Sequence, residues 1–106
     1  IGFPDLLMTY GKYQFRPDPP FVPGAEWAGE VIEIGPEVAT VRVGDRVMAG
    51  GLGGFAQHAV ADAAAVRPLP DALAFEEGAC WRAGAVTAWH ALHDKAAVVA
   101  GETVLI

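Results

Sequence analysis

Alternation of apolar and polar positions dominates the middle of the chain. From Glu26 to Gly35 successive residues alternate, which predicts a strand whose glycines indicate tight packing or a bend. Shorter alternating segments follow at residues 38–43, 46–49 and 55–61, each bounded by a turn containing glycine or proline. Several short strands at this spacing indicate a small barrel or sandwich.

The flanking parts of the chain have other patterns. Residues 5–10 are too few to decide between a helical turn and an extended segment, and residues 16–20 carry three prolines and predict a loop. Residues 75–83 and 86–97 have helical spacing, and Gly84 is expected to separate the two helices. Residues 103–106 (Thr-Val-Leu-Ile) suit a buried parallel strand.

Composition indicates one globular domain. The chain has 106 residues, of which 53% are apolar and 19% charged, and its longer apolar runs are broken by Gly, Asp or Arg. The net charge of −6 disfavours a nucleic-acid or anionic-membrane partner, and no secretory signal is recognisable. Cys80 is the only cysteine, which excludes an internal disulfide and agrees with a cytoplasmic location. Because the chain begins at Ile1 and stops within an apolar run, we expect a piece of a longer protein.

Three motifs suggest chemistry, and each also has a simpler interpretation. Residues 51–56 match the letters of a dinucleotide-binding loop, but strand-like alternation follows instead of a helix, so a hairpin loop is expected. His90 and His93 have a spacing that can share a metal, but two partly exposed polar residues on a helix are the simpler interpretation, and no metal site is expected. Cys80 lies in an apolar segment and is expected to be a small buried residue.

Glu26 is an acid inside an apolar strand, where an unpaired carboxylate is unfavourable. It is expected either to form a structural ion pair with Arg46 across the sheet or to take part in catalysis.

Residues 23–31 (Pro-Gly-Ala-Glu-Trp-Ala-Gly-Glu-Val) and 44–47 (Gly-Asp-Arg-Val) together resemble a known hallmark. It is that of the medium-chain dehydrogenase/reductase superfamily, in its GroES-like catalytic domain. Zinc-dependent alcohol dehydrogenases carry a metal-binding histidine where this chain has Ala25. The chain is therefore more similar to the zinc-free quinone oxidoreductases of the zeta-crystallin type. Further segments follow in the family order, namely residues 3–5, 11–13, 54–56, 70–77, 87–89 and 101–106.

The resemblance implies a mainly β fold with helices. Residues 1–102 would form a GroES-like, partly open β-barrel, incomplete at its N-terminus and followed by short helices. Residues 103–106 would be the first strand of a nucleotide-binding Rossmann domain that this chain does not contain.

The resemblance also implies a function and a site. The full-length protein would be an NADPH-dependent, zinc-independent quinone oxidoreductase that transfers hydride to a quinone or activated carbonyl, whereas this chain alone would be inactive. Tyr13 and Thr87 would be catalytic, with Thr87 also binding the cofactor, while Asp5 and Glu26 would be structural. The expected partners are a small-molecule substrate and a second copy in a dimer, with no nucleic acid or membrane.

Two positions depart from the family pattern. Gly2 stands where relatives usually carry an asparagine that helps hold the nicotinamide, and Leu7 stands where some carry a tyrosine.

An enoyl-thioester reductase of the same superfamily and a non-catalytic GroES-like binding module are the alternative functions. The predicted strand at residues 103–106 favours an enzyme over a module, because a self-contained barrel does not need this additional buried strand.

Overall fold

The computed structural model describes residues 1–105, so Ile106 lies outside the described part. Helix α1 and three strands precede a long helix, α2, which continues into a π-helical segment. In chain order the elements are α1 Phe3–Thr9, β1 Glu26–Glu30, β2 Arg46–Gly50, a 3-10 turn Ala63–Ala65, β3 Arg67–Pro68, α2 Phe75–Trp89 and the π-helical segment His90–Lys95.

The three strands form one antiparallel sheet in the order β1-β2-β3. Glu26 is opposite Gly50 and Glu30 is opposite Arg46, so the two acids of β1 lie at opposite ends of the strand pair. Side chains alternate between the two faces of a sheet. Glu26, Ala28 and Gly50 therefore share one face, and Val47 and the almost fully buried Ala49 share the other.

Helix α2 packs closely on the first of these faces through Gly78. A Cβ atom at Gly78 would lie 2.5 Å from Leu69 Cδ1 and 3.2 Å from Ala28 Cβ, so only glycine allows the helix this near to the sheet. Leu69 is buried at this contact. The packing brings the middle of α2 over the end of the sheet where Glu26 and Gly50 lie.

The sheet is shorter than the sequence predicts. The β1–β2 pairing ends where the amides of Val31 and Gly44 donate to the carbonyls of Asp45 and Val31, and no strand continues to Gly35. Residues 38–43 and 55–61 do not form strands either. Both predictions are wrong because alternation describes side chains, whereas a strand also needs a neighbour that accepts its backbone hydrogen bonds.

The helical region is more continuous than predicted. Gly84 lies inside α2 instead of separating two helices, which is physically reasonable because one glycine disfavours a helix by only about 1 kcal/mol. Residues 5–10, which the sequence left undecided, belong mostly to α1. Residues 103–105 form no strand, and the last residue of that predicted strand, Ile106, lies outside the described residues.

Two further observations concern Cys80 and the length and apolarity of the helices. Cys80 is exposed on α2, so the expectation of a buried residue is wrong. Within residues 1–105, no helix is both long and apolar enough to cross a membrane.

Candidate functional site

Asp5 ties the start of the chain to the segment that precedes β1. Its carboxylate Oδ2 accepts the Gly2 amide at 2.8 Å, while Oδ1 accepts the amides of Gly24 at 3.2 Å and Ala25 at 2.9 Å. The residue is only 5% exposed. A buried carboxylate is stable when several donors surround it. Asp5 therefore holds Gly2 close to the backbone of Gly24 and Ala25.

A glycine-rich crossing holds Ala25 from the other side. We define the crossing as residues 22–25 lying against residues 51–55. The Gly51 amide donates to the Ala25 carbonyl at 2.9 Å, and the other amides donate across the crossing in the pairs Gly53 to Val22, Gly54 to Gly24 and Phe55 to Pro23. Because these amides already donate hydrogen bonds to carbonyls, residues 51–56 have no row of free donors that could bind a pyrophosphate. Residues 51–56 form a loop as predicted, but the prediction of a hairpin is wrong, because no strand follows at residues 55–61.

Glu26 contacts helix α2 and not Arg46. Its Oε2 accepts the backbone amide of Ala83 at 2.9 Å, a residue 57 positions later in the chain. The predicted ion pair with Arg46 is wrong, because Arg46 lies at the far end of the strand pair, opposite Glu30. The Arg46 guanidinium instead donates to the Leu73 carbonyl at 2.6 Å and lies 4.7 Å from the centre of the Phe75 ring.

Thr87 lies one helical turn beyond Ala83. Residues four apart share a face of an α-helix, so Thr87 belongs to the side of α2 that Glu26 contacts. Its side chain is exposed. The hydrogen bonds thus connect Asp5, Ala25, Glu26 and Ala83 across three elements, and Thr87 follows on the same helix face.

Tyr13 stands apart from this set. It lies in the loop after α1 and is half-buried, and its carbonyl accepts Arg16 Nε at 3.1 Å. Among the described residues no hydrogen bond connects the two predicted catalytic residues, Tyr13 and Thr87.

His90 and His93 form a cluster with Asp94 at the end of α2. Their Nδ1 atoms lie 3.0 and 3.2 Å from the Asp94 carboxylate oxygens, and the His93 ring stacks on Trp89 at 4.6 Å. The hydrogen bond from His90, and then that from His93, holds the pKa of the Asp94 carboxyl below its ordinary value. Across residues 1–105, no group of three or more His, Cys, Asp or Glu residues is arranged to hold a metal ion.

Arg82 is a residue of this region that the sequence analysis missed. Its guanidinium lies against Gly50, where a Cβ atom would overlap Nη1. The signal in the sequence is that Arg82 is the only Lys, Arg, Asp or Glu between Glu77 and Asp94. A charge in such an apolar helical stretch indicates a local role.

Comparison with known proteins identifies the fold. Residues 1–71 match the family described as the alcohol dehydrogenase GroES-like domain. The chain therefore belongs to this family, within the medium-chain dehydrogenase/reductase superfamily, and the predicted fold class is confirmed.

Individual relatives agree with this assignment. A quinone oxidoreductase-like protein 2 homolog from Nematostella vectensis is 41% identical over 108 residues, which cover 100% of this chain and 30% of the relative. The polyketide synthase GfsB from Streptomyces halstedii is 43% identical over 106 residues, or 100% of this chain and 2% of that protein. A crystal structure of a probable oxidoreductase from Mycobacterium abscessus matches with a TM-score of 0.88 and 39% identity, covering 96% of this chain and 33% of its own. The chain thus spans about a third of the length of that oxidoreductase.

Proposed function

We propose that this chain is the substrate-side domain of a reductase that acts on quinones or activated carbonyls with NADPH and without zinc. The family membership and the names of the relatives support a reductase of this superfamily. The observation that carries the proposal is the environment of Ala25. Its backbone is fixed on both sides, by Asp5 and by Gly51, in the position where zinc-dependent members place a histidine.

The chemistry of Ala25 determines which acceptors suit the site. A methyl group cannot ligate a metal, so polarisation of the substrate carbonyl falls to hydrogen-bond donors or water at this position. Such donors stabilise a developing negative charge less than a divalent cation does. An acceptor that is already electron-poor, such as a quinone, is therefore favoured over a simple ketone.

We expect this chain to bind only the nicotinamide end of the cofactor. NADPH supplies the hydride in reactions of this class. The crossing cannot hold the pyrophosphate, because the amides of residues 51 and 53–55 already donate to carbonyls. The exposed Thr87 hydroxyl is available to the nicotinamide end, and the remainder of the cofactor would bind to a nucleotide-binding domain outside this chain. The chain alone would accordingly be inactive.

A second function is favoured by the similarity to polyketide synthases. The 43% identity with GfsB supports reduction of an enoyl thioester as the alternative activity. Parallel assays of the full-length protein with a simple quinone and with a crotonyl thioester separate the two. A protein that reduces neither would be a non-catalytic module of the GroES-like type.

The net charge, the family resemblance and the cysteine content support the remaining proposals on partners and location. The net charge of −6 supports a small-molecule substrate over nucleic acid or an anionic membrane surface. A homodimer and a cytoplasmic location are carried over from the family resemblance and from the single cysteine.

Replacement of Thr87 tests the proposed site. Thr87→Val removes the hydroxyl at nearly constant shape, and we expect a fall in kcat/KM for quinone of about three- to tenfold, the worth of one neutral hydrogen bond. Melting temperature should stay unchanged because the side chain is exposed. Thr40→Val, at another exposed threonine, is the matched control and should keep full activity. Equal loss in both variants would contradict a role of Thr87 at the site.

A further inference from the structure

We propose that Arg82 donates the hydrogen bond that receives the carbonyl oxygen of the quinone-like acceptor. This inference rests on the proposed function and names the group that takes over polarisation of the substrate where zinc-dependent relatives use a metal. Neither the family resemblance nor the comparisons assign a role to Arg82. Its position beside Ala25 and its free donors carry the inference.

Arg82 reaches from α2 to Gly50 of β2. The point that a Cβ atom would occupy on Gly50 overlaps Arg82 Nη1, lies 3.2 Å from Arg82 Cζ and lies 3.7 Å from the Ala25 carbonyl oxygen. The guanidinium is thus beside the backbone of Ala25. The next residue along the helix, Ala83, donates its amide to Glu26, which anchors this part of α2 to the sheet.

Gly50 is the residue that permits this arrangement. Any side chain there would meet the guanidinium and displace it from the Ala25 side of the helix. Arg82 itself is exposed, so a substrate can reach its guanidinium.

The Arg82 guanidinium keeps its donors free within the described residues. Three other arginines use their side chains within the protein: Arg16 donates to Tyr13, Arg46 donates to Leu73, and Arg67 donates to Ala64 and Val66. Arg42 resembles Arg82 in having no side-chain hydrogen bond among the described residues, but it lies in an exposed loop away from Ala25. The hydrogen bonds and ion pairs found in residues 1–105 include none from the Arg82 guanidinium. A guanidinium has five donors and stays protonated at neutral pH. It therefore offers a fixed positive charge to an oxygen that becomes negative.

The chemistry balances with a reduced nicotinamide as the reductant. A reduced nicotinamide would supply a hydride, with its two electrons, to one carbonyl oxygen of the quinone, and would itself become the oxidised nicotinamide. As that O–H bond forms, the ring π electrons shift and the opposite C=O bond becomes a C–O⁻ bond. The product is the hydroquinone monoanion, and Arg82 donates a hydrogen bond to this anionic oxygen without losing a proton. Solvent then supplies the proton that gives the neutral hydroquinone. Arg82 acts by stabilising the developing charge, which is a common and large contribution to catalysis.

The test uses the full-length protein with NADPH and a simple quinone. For Arg82→Gln we expect kcat/KM for the quinone to fall about tenfold to a hundredfold, somewhat less than for a buried oxyanion donor because the site is open to water. The dissociation constant for NADPH and the melting temperature should stay unchanged. Arg42→Gln, which removes the same charge from an exposed loop position, should keep the wild-type rate. In Arg82→Ala, added guanidinium ions should restore part of the lost rate, and Arg82→Lys should recover part of it by charge alone.

The possible results distinguish a failure of the proposed function from a failure of the inference about Arg82. If the wild type does not reduce quinones, the proposed function fails and the role of Arg82 falls with it. If the wild type is active and Arg82→Gln matches it, the inference about Arg82 is wrong while the proposed function stands. Loss of activity that accompanies a lower melting temperature, without rescue by guanidinium, would assign Arg82 a merely structural role and overturn the inference.

Discussion

Gly24→Ala should destabilise the folded protein by about 3–5 kcal/mol, more than other single changes in the crossing, because it combines backbone strain with overpacking. Gly24 has φ +100°, a conformation that residues with a side chain rarely adopt. An added Cβ would also lie 2.6 Å from the Phe55 nitrogen and 2.7 Å from Gly54 Cα, both backbone atoms that cannot turn away. The crossing would have to open, and the Ala25 backbone would lose its fixed position.

Gly29→Ala is the matched control for this substitution. Gly29 lies in β1, has no positive φ, and has no atom within 4 Å of the Cβ position. Alanine there should be neutral or stabilise by up to about 1 kcal/mol through the unfolded chain. Urea denaturation of the two variants measures the difference. Similar midpoints for Gly24→Ala and Gly29→Ala would show that the crossing is not as tight as described.

Asp5→Ala is the second change with a large expected effect. It removes the acceptor of three backbone amides, of which that of Gly24 is buried and those of Gly2 and Ala25 are partly buried, and leaves these donors without a partner. Charge-assisted hydrogen bonds contribute about 1.5–3 kcal/mol each, and partial access of water to two of the donors reduces the sum. We expect a loss of about 3 kcal/mol or more, together with faster proteolysis near α1.

Two further variants make this result specific. Asp5→Asn keeps one oxygen but presents an amide N–H₂ group to the remaining donors, so its loss of stability should be intermediate. Asp18→Ala removes an exposed acid from the proline-rich loop and should be neutral within about 0.5 kcal/mol. If Asp5→Ala and Asp18→Ala unfold at the same urea concentration, the carboxylate does not hold the two segments together.

Local signals in the sequence predicted the helical region and the loops well. The spacing of apolar residues located α2, and three prolines located the loop at residues 16–20. The strands were harder to predict, since residues 38–43 and 55–61 have suitable alternation but no partner in the structure. Whether a segment pairs depends on where distant residues lie, and this information is not local. Gly84 illustrates the opposite error, because a single glycine was given more weight than its small helix penalty justifies.

The contacts of the candidate site could be predicted from the sequence less completely than the fold. Two of the three donors to Asp5 lie 19 and 20 residues away, and the Ala83 amide that Glu26 contacts lies 57 residues away. The register of the β1–β2 pairing places Glu26 and Arg46 at opposite ends of the strand pair, so they form no ion pair. The spacing of the two residues in the sequence does not reveal this register. Arg82 was overlooked because its significance depends on contact with Gly50, a residue 32 positions earlier with no side chain of its own.

Oxidation of NADPH by a simple quinone, followed at the absorbance of the reduced nicotinamide, tests the proposed function most directly. The full-length protein should oxidise NADPH only when the quinone is present, and treatment with a strong chelator should leave the rate unchanged, because Ala25 cannot bind a catalytic metal. Oxidation of a simple alcohol with NADP⁺ should be undetectable under the same conditions. Activity that disappears on chelation, or alcohol oxidation without quinone reduction, would contradict the proposal.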